Sequence, residues 1–267
     1  MVQPKKHWGQ HFLTDPSIAA RIVDSLPLGQ GDPVVEIGPG TGILTSLLLE
    51  REMRLTPVEI DPEAAAYLRD RWPRLDETLV EGDFLKMAPG KELPEVPFRI
   101  IGNFPYNISS QIFFRVLDWR DLVPSVVCMI QKEVADRLAS PPGSRDYGIL
   151  SVLLQAYYRI ETLFRVKPGS FHPPPKVHSA VIRLTRNDTV ALPCNEALFR
   201  EIVKTCFQQR RKMIRNSIRP ILLPLDDSTG LLSKRPEQLD VNDFVTLTNW
   251  VEARRSQTTD QSNTADP

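Results

Sequence analysis

Val34-Val35-Glu36-Ile37-Gly38-Pro39-Gly40-Thr41-Gly42 is an apolar run that breaks into a glycine turn, and a segment of helical period follows over 42–53. Backbone in such a turn can approach a ligand closely, because glycine has no Cβ to stand in the way. The spacing is G-x-G-x-G, whereas the dinucleotide fingerprint G-x-G-x-x-G needs a glycine where Ile43 stands. That weakens a nicotinamide reading and leaves other nucleoside cofactors open.

Outward from this turn, short β-branched or apolar runs near 33–38, 54–60, 77–82, 97–102, 123–130, 158–164 and 177–185 alternate with helical segments 42–53, 62–72, 107–118, 131–139 and 147–157. The alternation predicts a parallel sheet flanked by helices. Pro57 is a misfit inside the second strand, since proline cannot donate to a ladder. That strand closes on Val58-Glu59-Ile60-Asp61, with Glu59 17 positions after Gly42. A carboxylate there can accept the two ribose hydroxyls of an adenosine. The third strand ends in Glu81-Gly82-Asp83, where Asp83 could accept a hydrogen bond from an adenine amine. Alone, a glycine turn merely caps a helix and a strand-end acid merely sits in solvent. Together, at the carboxyl ends of successive strands, they mark the place where open α/β sheets bind ligands. S-adenosylmethionine fits this set better than NAD.

The fourth strand runs into Ile100-Ile101-Gly102-Asn103-Phe104-Pro105-Tyr106-Asn107. The adenine amine is a poor nucleophile because its lone pair is conjugated into the ring. An enzyme that methylates it has to hold the amine hydrogens and let the nitrogen pyramidalise. The Asn103 side-chain carbonyl and the Phe104 backbone carbonyl, fixed by Pro105, supply two acceptors, and Tyr106 supplies a ring on which a flipped base stacks. Alignment then carries the catalysis and no strong general base is needed. The tetrapeptide read alone is also compatible with a simple loop turn.

The chain has 267 residues, 41% apolar and 25% charged, the profile of an ordinary globular protein. Cys128, Cys194 and Cys206 show no ligand or disulfide spacing, so neither a disulfide framework nor a metal site is expected, and a reducing, cytoplasmic setting is. No apolar run approaches a membrane span, and Met1 to Gln10 has no apolar stretch behind its basic residues, so neither insertion nor secretion is expected. Formal charge is zero, with 33 basic and 33 acidic residues, so nucleic-acid binding would have to come from local clustering. Such a cluster exists: residues 200–219 hold Arg200, Lys204, Arg210, Arg211, Lys212, Arg215 and Arg219 against Glu201 as the single acid. It reads as a phosphate footprint, or as a solvated helix face. After Asn187 the pattern is helical without strands (195–207, 209–219, 236–253), with Pro220, Pro224 and Gly230 as breaks, and Ser256 to Pro267 reads as a polar, disordered tail.

Gln10-His11-Phe12-Leu13, Glu36 to Gly42, Glu59, Asp83, Asn103-Phe104-Pro105-Tyr106-Asn107-Ile108-Ser109 and Phe171-His172-Pro173-Pro174-Pro175-Lys176-Val177 occur in the order seen in one family. Over residues 5–255 the chain resembles the rRNA adenine N6,N6-dimethyltransferases, most closely their KsgA (RsmA) branch. The resemblance implies a Rossmann-like S-adenosylmethionine-dependent methyltransferase domain over 1–187, a small all-helical RNA-binding domain over 188–255 and a tail over 256–267. It implies a cofactor set of His11, Leu13, Gly38, Gly40, Glu59, Ile60, Asp83, Phe84 and Asn103. Phe171 would stack on the target adenine opposite Tyr106, and Lys5, Lys6, Arg210, Arg211, Lys212 and Arg215 would contact RNA. The implied reaction is dimethylation of two adjacent adenosines in the 3′-terminal hairpin of small-subunit (16S) rRNA, late in subunit assembly; a monomer is the default expectation. His11 stands where many relatives have Asn, and Phe104 where Leu is common. Two other readings share these motifs: an Erm-like large-subunit rRNA methyltransferase, and an assembly factor whose docking matters more than its turnover. The larger tail domain and the Phe171 to Val177 segment favour the small-subunit reading over the Erm-like one.

Overall fold

The computed structural model describes residues 2–5, 8–27, 29, 31–51, 53–219 and 228–263. The chain forms two compact units, one of residues 1–136 with 158–187 and one of 137–157 with 188–267. The sequence expectation drew a single boundary at 187/188. In the structure residues 137–157 leave the sheet unit and group with residues 188–267.

In the first unit, β1 (Phe12–Leu13) leads into α1 (Pro16–Asp24), β2 (Pro33–Ile37), α2 (Ile43–Glu50), β3 (Arg54–Glu59), α3 (Pro62–Arg71), β4 (Val80–Glu81), β5 (Arg99–Asn103), α4 (Ser109–Asp118), β6 (Ser125–Gln131) and α5 (Lys132–Ala139), the last of which runs across the boundary into the second unit. The chain returns as β7 (Tyr158–Val166), β8 (Phe171–His172) and β9 (Ser179–Arg186). β1 and β8 form a small antiparallel pair; the other seven strands form one sheet in the order β4-β3-β2-β5-β6-β9-β7. β2 pairs in parallel with both β3 and β5, while β9 runs antiparallel to its neighbours β6 and β7. The chain moves outward from β2 to β4 and then crosses back to β5. The loops after β2 and β5 therefore open on the switch point where a crevice forms.

All five residues of β2 are buried, as expected of a central strand covered on both faces. Pro57 is accommodated by the shape of the edge. Val58 O accepts from Gly38 N on the β2 side and Glu59 O from Gly82 N on the β4 side, so by alternation residue 57 faces the β4 side. β4 begins its pairing only at Val58, so the donor that proline lacks has no partner to serve. α1 is absent from the periodicity reading, although Asp15 caps it by accepting from Ser17 N and Ile18 N with Pro16 in the first turn.

The second unit holds α6 (Ile149–Gln155), α7 (Glu196–Gln208), α8 (Ile214–Ser217) and α9 (Val241–Asn263). α7 buries Leu198, Phe199, Ile202, Val203 and Cys206, one stripe at three- and four-residue spacing. Phe199 and Phe207 lie 6.5 and 6.0 Å from the Phe244 ring of α9. The helix expected over 209–219 is shortened to the four residues of α8. The amides of Ile214 and Arg215 donate to the carbonyls of Lys234 and Leu232, and amides spent on another loop cannot serve a helix. α9 continues to Asn263, through the first part of the expected tail. Pro220, Pro224 and residues 264–267 lie outside the described residues.

Candidate active site

At the carboxyl ends of β2, β3, β4 and β5 a cleft opens to solvent. Its walls include Gly38 and Gly40 after β2, Glu59 at the end of β3 with Ile60 beyond it, Gly82, Asp83 and Phe84 after β4, and Asn103 at the end of β5 with Phe104 to Tyr106 beyond it. Residues 8–12 of the amino-terminal segment complete it.

Glu59 is 2% exposed, and both its oxygens are already engaged: Oε2 accepts from Gly40 N at 2.9 Å and Oε1 from Asp61 N at 3.0 Å. Burial raises its pKa above the usual carboxylate range against these amides. Each oxygen keeps a lone pair for a ribose hydroxyl. Gly40 has φ +56, and a Cβ there would stand 2.7 Å from the Phe12 ring. Turn conformation and close approach both exclude a side chain. Beneath the turn, Glu36 accepts from Thr45 Oγ1 at 2.7 Å, and burial pushes its carboxyl up to about 8. Asp83 accepts from Leu85 N at 3.0 Å, and Ile60, 40% exposed, offers an apolar surface to the cleft. A buried carboxylate, a glycine turn and an apolar wall fit S-adenosylmethionine.

On the other side, Asn103 Nδ2 donates to the His11 carbonyl at 2.7 Å, which leaves Oδ1 as the acceptor of that amide. The Phe104 side chain is buried, 6.0 Å from the Phe113 ring, and its N–H donates to Met129 O. Its side chain is therefore taken up by packing, while the residue still forms part of the cleft wall. Tyr106 Oη and Ser179 Oγ are 2.5 Å apart, and burial raises the phenol pKa although Ser179 pulls it down. The His11 ring lies 5.4 Å from that of Tyr106, tilted 31°.

Three expectations change. Phe171 is 4% exposed and packs in the hydrophobic core, paired across β1 and β8 with Leu13. Alternation explains this: in a two-residue strand one side chain points inward, and here it is Phe171 while His172 is exposed. The ring beside Tyr106 is that of His11. Leu13 is likewise in the core and does not line the cleft, so its part is to anchor the segment. Lys5, expected on RNA, is held within the chain: Nζ lies 2.5 Å from Asp61 Oδ1 and 3.3 Å from Glu63 Oε2. Gln10 Nε2 adds a bond to Asp61 Oδ2 at 3.3 Å. Burial alone would raise the Asp61 carboxyl, but Lys5, Gln10 and the Glu63 amide together hold it below its usual range. Lys6 lies outside the described residues.

In the second unit, Arg210 donates to the carbonyls of Ser144 and Arg145, and Arg215 Nε to Leu232 O at 3.4 Å. Both brace loops as well as carry charge. Arg211 and Lys212 are exposed on the turn after α7. Sequence reasoning missed Trp8 and Ser179; Phe12 stood in the quoted Gln10 to Leu13 segment, but nothing local showed that its ring meets Gly40. Among the described residues there is no group of three or more His, Cys, Asp or Glu able to hold a metal, and no helix long and apolar enough to cross a membrane.

A sequence model of the family described as ribosomal RNA adenine dimethylase matches residues 1–250. A protein of Phocaeicola vulgatus named ribosomal RNA small subunit methyltransferase A is 52% identical over 263 residues, covering 97% of this chain and 94% of its own. Among solved structures, a dimethyladenosine transferase from Plasmodium falciparum superposes with a TM-score of 0.78 at 25% identity, covering 91% of this chain and 98% of its own. The 23S rRNA methyltransferase ErmE superposes with a TM-score of 0.65 at 29% identity, covering 89% and 99%.

Proposed function

The chain belongs to the ribosomal RNA adenine dimethylases, S-adenosylmethionine-dependent enzymes, and on that premise we propose that it dimethylates N6 of two adjacent adenosines in the 3′-terminal hairpin of small-subunit rRNA, in the cytoplasm, late in subunit assembly. The observation that carries the chemistry is the Asn103 amide, turned by His11 so that Oδ1 is the acceptor, on the same cleft as buried Glu59. The choice of subunit is supported by the 52% identity to a small-subunit methyltransferase, against 29% to a 23S enzyme.

Glu59, the glycine turn, Ile60 and Asp83 would hold the cofactor, which when bound supplies an electrophilic methyl group on a sulfonium. The protein's own residues do the rest. Asn103 Oδ1 and the Phe104 carbonyl accept the two amine hydrogens and draw the nitrogen lone pair out of conjugation. Tyr106 stacks on the extruded base. The nitrogen becomes acidic as the new bond forms and its proton passes to water, so alignment and fixed dipoles carry the rate. Arg211 and Lys212, exposed in the second unit, contribute phosphate contacts.

The test is transfer of labelled methyl from S-adenosylmethionine to unmethylated small subunits, with large subunits and bare rRNA alongside. Dimethyladenosine at two adjacent small-subunit positions is expected. Label confined to large-subunit RNA would replace this reading with an Erm-like one.

A further inference from the structure

Tyr106 is held at its two ends by different parts of the first unit. Its backbone lies in the turn between β5 and α4, where its carbonyl accepts from Ser109 Oγ at 3.3 Å. Its hydroxyl lies 2.5 Å from Ser179 Oγ, 73 residues further along the chain. Ser179 is fully buried and does not line the cleft. It opens β9, in register with Gln131 of β6 on one side and Val166 of β7 on the other. A residue flanked by two strands of one sheet has little freedom to follow its partner, so the serine is the fixed point and the tyrosine the group that is fixed. A tyrosine ring turns about two side-chain torsions, and a backbone held in place leaves both open. The bond at the hydroxyl sets them, and with them the face that the ring shows to the cleft.

We infer that Ser179 is a positioning residue for methyl transfer, acting through the Tyr106 hydroxyl to hold the ring at the angle at which the target base stacks. The inference rests on the proposed adenine N6 chemistry, in which alignment carries the rate. Tyr106 is half-buried, and a part-buried hydroxyl whose partner is removed is drawn toward water, which turns the ring out of its stacking plane. Removing the phenol oxygen as well removes the cause. With no polar atom to satisfy, the ring keeps its place by packing, with the His11 ring 5.4 Å away. Loss of both partners is therefore milder than loss of the serine alone.

The experiment measures S-adenosylmethionine affinity, single-turnover methyl transfer to unmethylated small subunits and thermal stability for the unaltered protein, S179A, Y106F and the double variant. S179A should slow transfer roughly tenfold with cofactor affinity within about threefold of normal. Y106F should slow it no more than about threefold, and the double variant should match Y106F, so that removal of the phenol oxygen rescues S179A. A serine that merely stabilised the β6, β9 and β7 strands would give the double variant the product of the two losses, and that result overturns the inference. Transfer at the normal rate in S179A, or a loss of cofactor affinity that accounts for its slower rate, overturns it too. Each of these outcomes leaves the proposed function intact, whereas absence of adenine methylation by the unaltered protein overturns both.

Discussion

The two sides of the cleft are built over very different distances along the chain. On the cofactor side, Glu59 holds Asp61 and Gly40, 2 and 19 residues away, Asp83 holds Leu85, and Glu36 holds Thr45, 9 residues away. On the acceptor side, Asn103 reaches His11 across 92 residues, Tyr106 reaches Ser179 across 73, and His11 reaches Pro173 across 162. The first is a set of strand ends and turns that closes as the sheet closes. The second needs the amino terminus and the β8 loop brought to a strand end already formed. Cofactor binding and methyl transfer should therefore be separable by mutation.

The largest expected effect is that of E59A, which removes the partner of two buried amides together with the proposed ribose acceptor. Cofactor affinity should fall at least ~100-fold, while binding to small subunits stays within about twofold, as titration of each ligand will read. Parallel loss of both would mean that the two surfaces are not independent.

E36Q addresses the floor of the same half. The Glu36 carboxyl is raised from 4.5 to about 8, so the fold favours its neutral form. Its contribution is full below pH about 4.5 and is lost as pH rises toward 8. Glutamine keeps an acceptor for Thr45 without the titration. Chemical denaturation between those limits should show a pH slope flatter by about 1.4 kcal/mol per pH unit than in the unaltered protein. An unchanged slope would mean that Glu36 ionises freely in the fold.

D61N tests the clasp between the halves, where a buried carboxylate receives Lys5 and Gln10. Losing the charge should loosen residues 8–12 over the cleft and weaken cofactor binding about fivefold, with faster proteolysis near the amino terminus. Unaltered affinity and cleavage would mean that the segment is held by β1 alone.

The smallest change expected lies outside both halves. R211A with K212A should weaken particle binding a few-fold and lower the salt slope of log K by about 1.5, since fewer counterions are released. R210A, whose partners are the carbonyls of Ser144 and Arg145, should lower thermal stability more than it alters that slope.

The same contrast in distance explains what the sequence disclosed. Gly38 to Gly42, Glu59 and Asp83 are legible because each sits where an apolar run ends, and strand ends meet at the switch point whatever the details of packing. Asn103-Phe104-Pro105-Tyr106 is legible for the same reason. Phe171 and Leu13 were misplaced because the resemblance marks which residues matter but not which face of a two-residue strand they occupy. Lys5 looked like free charge because its partner Asp61 is 56 positions away. Residues 209–219 carried a helical period, but the amides of Ile214 and Arg215 are spent on Lys234 and Leu232, a tertiary choice that no local pattern announces.

The most direct test of the separation is Y106A, measured for cofactor affinity by titration and for single-turnover methyl transfer on the same preparation. The expected result is affinity within about threefold of normal with transfer slowed roughly 100-fold. A fall in affinity that matches the fall in rate would place Tyr106 on the cofactor side and contradict the division of the cleft.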